Sequence, residues 1–346
     1  MGTLWFWLVA LMIAAYVLLD GFDLGAGAIH LVVARTDPER KQVLSTIGPV
    51  WNGNEVWLIA TGGVLYFAFP GLYASGFSGF YLPLMIVLWL LILRGVAIEF
   101  RDHIHSEVWD PVWDFLFCTS SLLLCVFFGA ALGNVIRGVP LDASGYFFEP
   151  LWTNFLLGEH IGILDWYTIL VGLLAFAALI VHGALWVALK TTGPVYHRSL
   201  RIARLTWWAV VALTIAVTIT SFRVQPAIAQ NFRSAPWGYV FPLLAIAGLA
   251  GIRWAMARRN EWNSFLAAGC YLAGMLLSAV FGIFPMVLPA RNAAYSLTVE
   301  NTQAAKYGLT IGLIWWILGV ILVTGYFIFV YRSSAGKVVL EKHLDN

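Results

Sequence analysis

Long uncharged stretches alternate with short polar segments along the whole chain. Residues 1–19 carry no charge, and the stretch 56–93 is uncharged but broken at Pro70-Gly71. Further uncharged intervals span 115–136, 166–189, 205–222, 234–252, 262–290 and 307–331. Because a helix needs about 20 apolar residues to cross the hydrocarbon core of a bilayer, each interval predicts a membrane-spanning helix, and the broken one predicts two. We therefore predict nine spans, at residues 4–33, 49–70, 77–100, 112–136, 161–190, 203–222, 238–257, 263–286 and 305–331.

The composition agrees with this pattern. Of the 346 residues, 61% are hydrophobic and 11% are charged, whereas soluble domains carry about 25% charged residues. We therefore predict an all-α polytopic membrane protein and exclude a disordered chain. A formal net charge of +2 gives no basic footprint for nucleic acid. The uncharged N-terminus lacks the basic start of a signal peptide, so we expect it to begin the first span.

The cysteines predict no covalent framework. Cys118, Cys125 and Cys270 lie in apolar runs without a Cys-x-x-Cys pair, which argues against disulfides and a zinc site.

The basic residues predict an orientation. If the N-terminus lies outside, 14 of the 20 Lys and Arg residues face the cytoplasm, five face outward and Arg94 lies in the membrane. The inner set is Arg35, Arg40, Lys41, Arg101, Lys190, Arg198, Arg201, Arg204, Arg253, Arg258, Arg259, Arg332, Lys337 and Lys342. The outer set is Arg137, Arg223, Arg233, Arg291 and Lys306. By the positive-inside rule, the N-terminus lies outside and the C-terminus inside.

Four acids and one arginine fall inside the first three predicted spans, all toward the inner side. The first span carries Asp20 and Asp23, the second carries Glu55, and the third carries Arg94 and Glu99. One arginine cannot neutralise four carboxylates in a low dielectric, so we expect at least one acid to hold a proton. Such a cluster could form a proton relay. Two alternatives stay open: ion pairing that only holds the helices together, and an interfacial position for Glu99.

Other polar residues lie near the same level. Trp51, Asn52 and Asn54 precede Glu55 at the start of the second span, which indicates a hydrogen-bonded site near the inner interface. The glycine-rich stretch 20–27 indicates close helix packing; it is not a dinucleotide loop, because no strand precedes it. His182 lies well within a span, where it could be an axial haem ligand or a hydrogen-bonded packing residue.

At these motifs the sequence resembles subunit II of the bacterial cytochrome bd quinol oxidases. The matching segments occur in the family's order across nearly the whole chain. They are DGFDLG (20–25), GPVWNGNEVWL (48–58), GFSGFY (76–81), RGVAIEFR (94–101), FPMVLP (284–289) and SLT (296–298). The chain differs from many members at Asn52, where they have Asp, and an amide cannot release a proton near neutral pH.

The resemblance implies a fold and a partner. The fold would be two four-helix bundles, at 1–136 and 161–286, with a peripheral helix at 305–331. The partner would be subunit I, which would hold the quinol site and the haems b and d, so that this chain would bind no haem. A structural quinone, lipid and a small single-helix subunit are further implied components, in a bacterial cytoplasmic membrane. In the family, a cytoplasmic proton path is proposed, and the residues that match it here are Asp20, Asp23 and Glu99.

Three functions follow as hypotheses. The first is a non-haem oxidase subunit that stabilises subunit I and admits protons. The second is a proton-coupled secondary transporter that uses the charged cluster, although such sites usually lie near the midplane within clear repeats. The third is a self-sufficient membrane cytochrome, which the positions of the histidines disfavour.

Overall fold

The computed structural model describes residues 1–338, except for 102, 105, 107 and 159. Lys342, which the orientation argument places inside, lies outside the described residues. The elements are almost entirely helical. The helices are α1 Gly2–Val33, α2 Asp37–Ile47, α3 Trp51–Ala68, α4 Pro70–Gly79, α5 Tyr81–Phe100, α6 Trp109–Arg137, α7 Trp166–Lys190, α8 Gly193–Val224, α9 Pro226–Ser234, α10 Val240–Ala257, α11 Glu261–Ile283, α12 Val299–Thr302 and α13 Lys306–Ser333. A short antiparallel pair joins β1 Met286–Leu288 and β2 Leu297–Thr298.

Every predicted span corresponds to one long helix in the described part of the chain. Eight of these helices are long and apolar enough to cross a membrane. The ninth, α3, has 18 residues but a lower hydropathy, because Asn52, Asn54 and Glu55 lie in its first turns. The all-α polytopic architecture is confirmed.

Helices α1 and α7 are the central elements of the packing. Helix α1 packs against α3, α6, α7 and α11, and α7 packs against α6, α8 and α11. Small residues bring α1 and α7 together: a Cβ added at Gly25 would stand 1.9 Å from the carbonyl oxygen of Leu179. A Cβ at Gly183 would stand 2.3 Å from the backbone nitrogen of Ala26. The glycine-rich stretch therefore packs helices closely. The division into two four-helix bundles stays a prediction.

Several helix boundaries differ from those predicted. Helix α8 begins at Gly193 instead of residue 203, because Pro194 suits a first helical turn while His197, Arg198 and Arg201 interrupt the uncharged pattern. Helix α7 begins at Trp166 instead of 161, since the Asp165 carboxylate accepts hydrogen bonds from two backbone N–H groups there.

The two longest segments between the predicted spans, at about 137–160 and 287–304, contact each other. The Val139 N–H donates to the Pro289 carbonyl at 3.0 Å, and the Arg291 N–H donates to the Val139 carbonyl at 3.0 Å. Val139 and Leu288 lie in one small apolar cluster that includes Phe147. The two segments therefore pack against each other rather than extend freely.

The last helix, α13, is mostly exposed, and Leu309 is its buried residue. It contacts α1 through the Trp316 indole, whose N–H donates to the sulfur of Met12 at 3.4 Å. Beyond its end, the Lys337 ammonium pairs with Glu261 of α11 at 2.7 Å. The segment after α13 therefore contacts the first turn of α11.

Candidate functional site

The deepest charged contact joins α1 to α5. The Arg94 guanidinium binds both oxygens of Asp20: Nη1 donates to Oδ2 at 2.8 Å, and Nη2 donates to Oδ1. Both side chains are 0% exposed. A Cβ at Gly95 would stand 3.3 Å from the Trp51 ring, so glycine lets this indole lie against α5 beside the arginine. Among the acids that Arg94 could meet, the structure selects Asp20.

Asp23 lies one helical turn from Asp20 and has a different set of partners. Its Oδ2 accepts a hydrogen bond from the Asn54 amide at 2.8 Å. The Asn54 carbonyl oxygen in turn accepts from the Tyr331 hydroxyl of α13 at 2.9 Å. The other carboxylate oxygen of Asp23 is buried and, among the described residues, has no hydrogen-bond partner. A hydrogen-bonded chain therefore runs from α13 through α3 to a buried carboxyl group.

The remaining predicted residues lie closer to the surface. Glu55 is half-buried and interacts electrostatically with Arg94 and Asp20. Asn52 is exposed. Glu99 is also exposed, and its backbone carbonyl, rather than its carboxylate, contacts the ring of His103 at 2.8 Å. The structure thus brings together Asp20, Asp23, Asn54, Arg94 and Trp51, with Glu55 at the edge, and leaves Asn52 and Glu99 outside the buried cluster.

Two tyrosines that sequence reasoning missed belong to this cluster. Tyr331 lies 277 residues from its partner Asn54, so no local signal indicates the contact. Tyr16 lies four residues before Asp20 on α1 and interacts electrostatically with it; this i, i+4 spacing could have indicated a neighbour. The Tyr16 hydroxyl is buried without a hydrogen-bond partner among the described residues.

A second charged cluster lies at the ends of the same helices. The Asp114 carboxylate, which is 0% exposed, contacts His30 at 2.8 Å, the Arg101 Nε at 2.7 Å and the Arg40 Nη1 at 3.3 Å. Arg101 also binds Asp37 at 2.6 Å. Burial acts to raise the pKa of Asp37, but the hydrogen bond from Arg101 outweighs it and holds that pKa below its ordinary value. This cluster ties α2, α5 and α6 to the end of α1.

Sequence reasoning also missed this second cluster. Asp114 lies close to the predicted start of its span, where a charge is ordinary. His30 lies seven residues beyond Asp23, or about 10 Å along α1. The two clusters therefore form successive layers.

A third set of charges joins the opposite ends of α6 and α7. Arg137 binds Glu149 at 2.9 Å and also pairs with Asp165, the residue that caps α7. Burial raises the pKa of Glu149, and the charge of Arg137 acts in the opposite direction. These contacts hold the segment after α6 against the helix ends.

His182 has the geometry of a packing residue. Its Nε2 hydrogen-bonds the Leu18 carbonyl at 2.9 Å, and its ring stacks on Phe265 with centroids 4.7 Å apart. When Nε2 donates to this carbonyl, Nδ1 holds the free lone pair, and Nδ1 is buried without a hydrogen-bond partner among the described residues. Within the described ranges, no group of three or more His, Cys, Asp or Glu side chains is placed to hold a metal ion.

Comparisons with known proteins identify the family. The family model described as cytochrome bd terminal oxidase subunit II matches residues 1–334. A Haemophilus influenzae protein named probable cytochrome oxidase subunit 2 is 29% identical, over 97% of this chain and 94% of its own. Subunit 2 of the Escherichia coli K12 cytochrome bd-I ubiquinol oxidase is 26% identical, over 98% and 95%.

A solved structure supports the same fold. The bd oxidase of Geobacillus thermodenitrificans contains a chain that matches with a TM-score of 0.75 at 18% identity, over 96% of this chain and 97% of that one. At this identity the match shows the fold alone. Together with the family match over nearly the whole length, it makes the protein a multi-pass subunit of a bacterial inner-membrane oxidase complex. The chain belongs to the cytochrome bd terminal oxidase subunit II family.

Proposed function

We propose that this chain is the non-haem subunit II of a quinol:oxygen oxidoreductase, which stabilises a haem-bearing subunit I and lines a cytoplasmic proton-input path. The match to the family over residues 1–334 carries the first part of the proposal. It also favours an oxidase over the transporter that the charged cluster alone allows. The haems b and d belong to subunit I in this proposal, and electrons pass from a quinol to oxygen there.

The partner of Arg94 supports the proton path. The single guanidinium of the buried cluster is committed to Asp20 through both carboxylate oxygens. Asp23 is equally buried but, among the described residues, forms no ion pair. A buried carboxyl group without a cation is the member of such a pair that can take up and release a proton. Its free oxygen and its hydrogen bond to Asn54 provide two directions for that exchange.

The path begins at the inner side in this proposal. Glu55 follows Asn54, the hydrogen-bond partner of Asp23, by one residue on α3, and its half-buried carboxylate can exchange protons with water. Glu99 lies exposed five residues after Arg94, or about 7 Å along α5, where it can supply protons to Glu55. Because Asn52 is exposed and cannot titrate, Glu55 takes the role that an acid at residue 52 has in other members of the family.

Exposed apolar surface supports the stabilising role. Within α5, Leu82, Leu88, Trp89 and Ile92 are exposed on the chain alone. These apolar side chains are suited to contact lipid or another apolar protein surface. In this proposal they contact subunit I. A bound quinone, lipid and a small single-helix subunit complete the proposed complex.

Amide variants of the assembled oxidase test the proton path. We expect Asp23→Asn and Glu55→Gln to slow quinol-driven oxygen consumption by about tenfold or more, while the haem spectrum stays unchanged. Glu99→Gln should have a smaller effect that grows with pH, because the proton supply becomes limiting. Glu300→Gln, at an exposed acid outside the cluster, is the matched control. Wild-type rates in the Asp23→Asn, Glu55→Gln and Glu99→Gln variants over the working pH range would show that these residues have only a structural role.

Purification tests the division of labour between the subunits. The chain expressed alone should show no haem absorbance, and from its native membrane it should bring a haem-bearing partner with it. Stoichiometric haem on the isolated chain would contradict the proposal.

A further inference from the structure

We propose that the inner end of α8 binds the phosphate group of an anionic phospholipid. A groove of about 550 Å³ lies there, lined by Pro194, His197, Arg198, Arg201, Arg204 and Leu205. The proposal depends on the membrane location of the chain and is independent of the proton path.

One side of the groove is held in place by an ion pair. Arg198 donates from both terminal nitrogens to Glu39, at 2.8 and 2.9 Å, and also to the Val33 carbonyl at 2.6 Å. The hydrogen bond from Arg198 lowers the pKa of Glu39, so this pair stays charged at neutral pH. Arg198 is therefore a fixed wall, and its charge is already balanced.

The other two arginines of the groove carry unbalanced charge. Arg201 and Arg204 are exposed, and neither forms an ion pair with any acid in the part of the chain that the structure describes. His197 lies one turn before Arg201 on the same side of the helix. Guanidinium groups bind phosphate oxygens in pairs of parallel hydrogen bonds, so two of them facing one groove fit a phosphate monoanion.

The apolar surface beside the groove identifies the anion as a lipid headgroup rather than a soluble phosphate. Steps of three, four or seven residues connect the two arginines to exposed apolar side chains, so that all of them share one helix face. These side chains are Trp208, Ile215, Ile219 and Phe222. This helix face thus carries the two arginines near its inner end and an apolar stripe along the rest of its length.

The length of the stripe matches a bilayer. Residues 205–222 are uncharged and end at Arg223. Eighteen helical residues span about 27 Å, close to the hydrocarbon thickness of about 30 Å. Arg204 therefore lies at headgroup level, with the exposed indole of Trp208 one turn deeper, where tryptophan is typical of the interface. A phospholipid can place its phosphate on the arginines and its acyl chains along the stripe.

Native mass spectrometry of the delipidated oxidase complex with added phosphatidylglycerol tests this site. We expect Arg201→Gln/Arg204→Gln to weaken retention of the lipid by about fivefold per arginine, or about 25-fold in all. Glutamine keeps a high helix propensity, so the fold is retained. The matched control is Arg253→Gln/Arg332→Gln, which removes the same charge at two exposed arginines outside the groove and should retain the lipid. Retention should also fall as ionic strength rises.

Three results would overturn the proposal. Equal retention by both double variants would show that the lipid binds elsewhere. Displacement of the lipid by millimolar inorganic phosphate, with equal retention of phosphatidylcholine, would indicate a soluble anion site. Loss of subunit I from the Arg201→Gln/Arg204→Gln complex would show that the groove is a protein interface.

Discussion

Replacing Gly25 by alanine tests how closely α1 and α7 must approach. In an exposed helix, Gly→Ala stabilises by about 1 kcal/mol, because alanine has the higher helix propensity. Here the added Cβ would stand 1.9 Å from the Leu179 carbonyl oxygen, and ordinary contacts begin at 3.4 Å. The backbones must therefore separate by about 1.5 Å, for which overpacking costs of about 1–3 kcal/mol are typical. Since the obstructing atom belongs to the backbone, we expect an overpacking cost near 3 kcal/mol. The higher helix propensity of alanine offsets about 1 kcal/mol of it, so the net loss of stability is about 2 kcal/mol.

The assay is thermal unfolding of the purified complex, followed by tryptophan fluorescence. Gly63→Ala is the control, because a Cβ there meets nothing within 4 Å; it should leave the melting temperature unchanged or raise it. Gly21 sharpens the test, since its added Cβ would meet the side chain of Leu179 at 2.8 Å rather than its backbone. In double-mutant cycles, Leu179→Ala should relieve Gly21→Ala and fail to relieve Gly25→Ala. If the Gly25→Ala complex had the same melting temperature as the Gly63→Ala complex, the close approach of α1 and α7 would not limit stability.

Two further predictions concern charged pairs. Arg94→Gln and Asp20→Asn should each destabilise the complex by about 3–5 kcal/mol, because a buried charge is left without its partner. The double variant should lose less stability than the sum of the two single variants. Additive losses in the same unfolding assay would show that the pair is not coupled. Glu39, whose pKa the hydrogen bond from Arg198 lowers, contributes stability above its ordinary pKa and loses it as the pH falls through the lowered value. The difference in melting temperature between wild type and Glu39→Gln should therefore be largest near neutral pH and shrink in acid, and a difference independent of pH would contradict the assignment.

Much of the fold could be predicted because membrane insertion is a local property. A span can be recognised from about 20 apolar residues in a row, whatever its neighbours are. Each of the nine long helices in the described part of the chain was therefore predicted. Boundaries such as the start of α8 were missed for the same reason. Its first turns are polar, and hydropathy cannot tell a helix that extends into water from a loop.

The candidate site, like the fold, was predicted only in part. Charges such as Asp20, Asp23 and Arg94 stand out in the sequence because an ionisable residue within a span is rare and costly. The sequence does not show which of these residues pair, because the pairing depends on how the helices cross and rotate. In the structure Arg94 pairs with Asp20, and Asp23 accepts a hydrogen bond from Asn54. Tyr331 shows the limit most clearly, because it meets Asn54, 277 residues away, only through the packing of distant helices.

The sequence by itself thus determined the positions of the long apolar helices and the short set of residues that carry charge into them, since each depends on the transfer of local segments from water to lipid. Only the tertiary structure decided which buried carboxyl group pairs with Arg94 and which is left, among the described residues, to a neutral amide. That outcome depends on side chains from α1, α3, α5 and α13 meeting within hydrogen-bond distance, and such distances are set by packing at glycine contacts rather than by any segment alone.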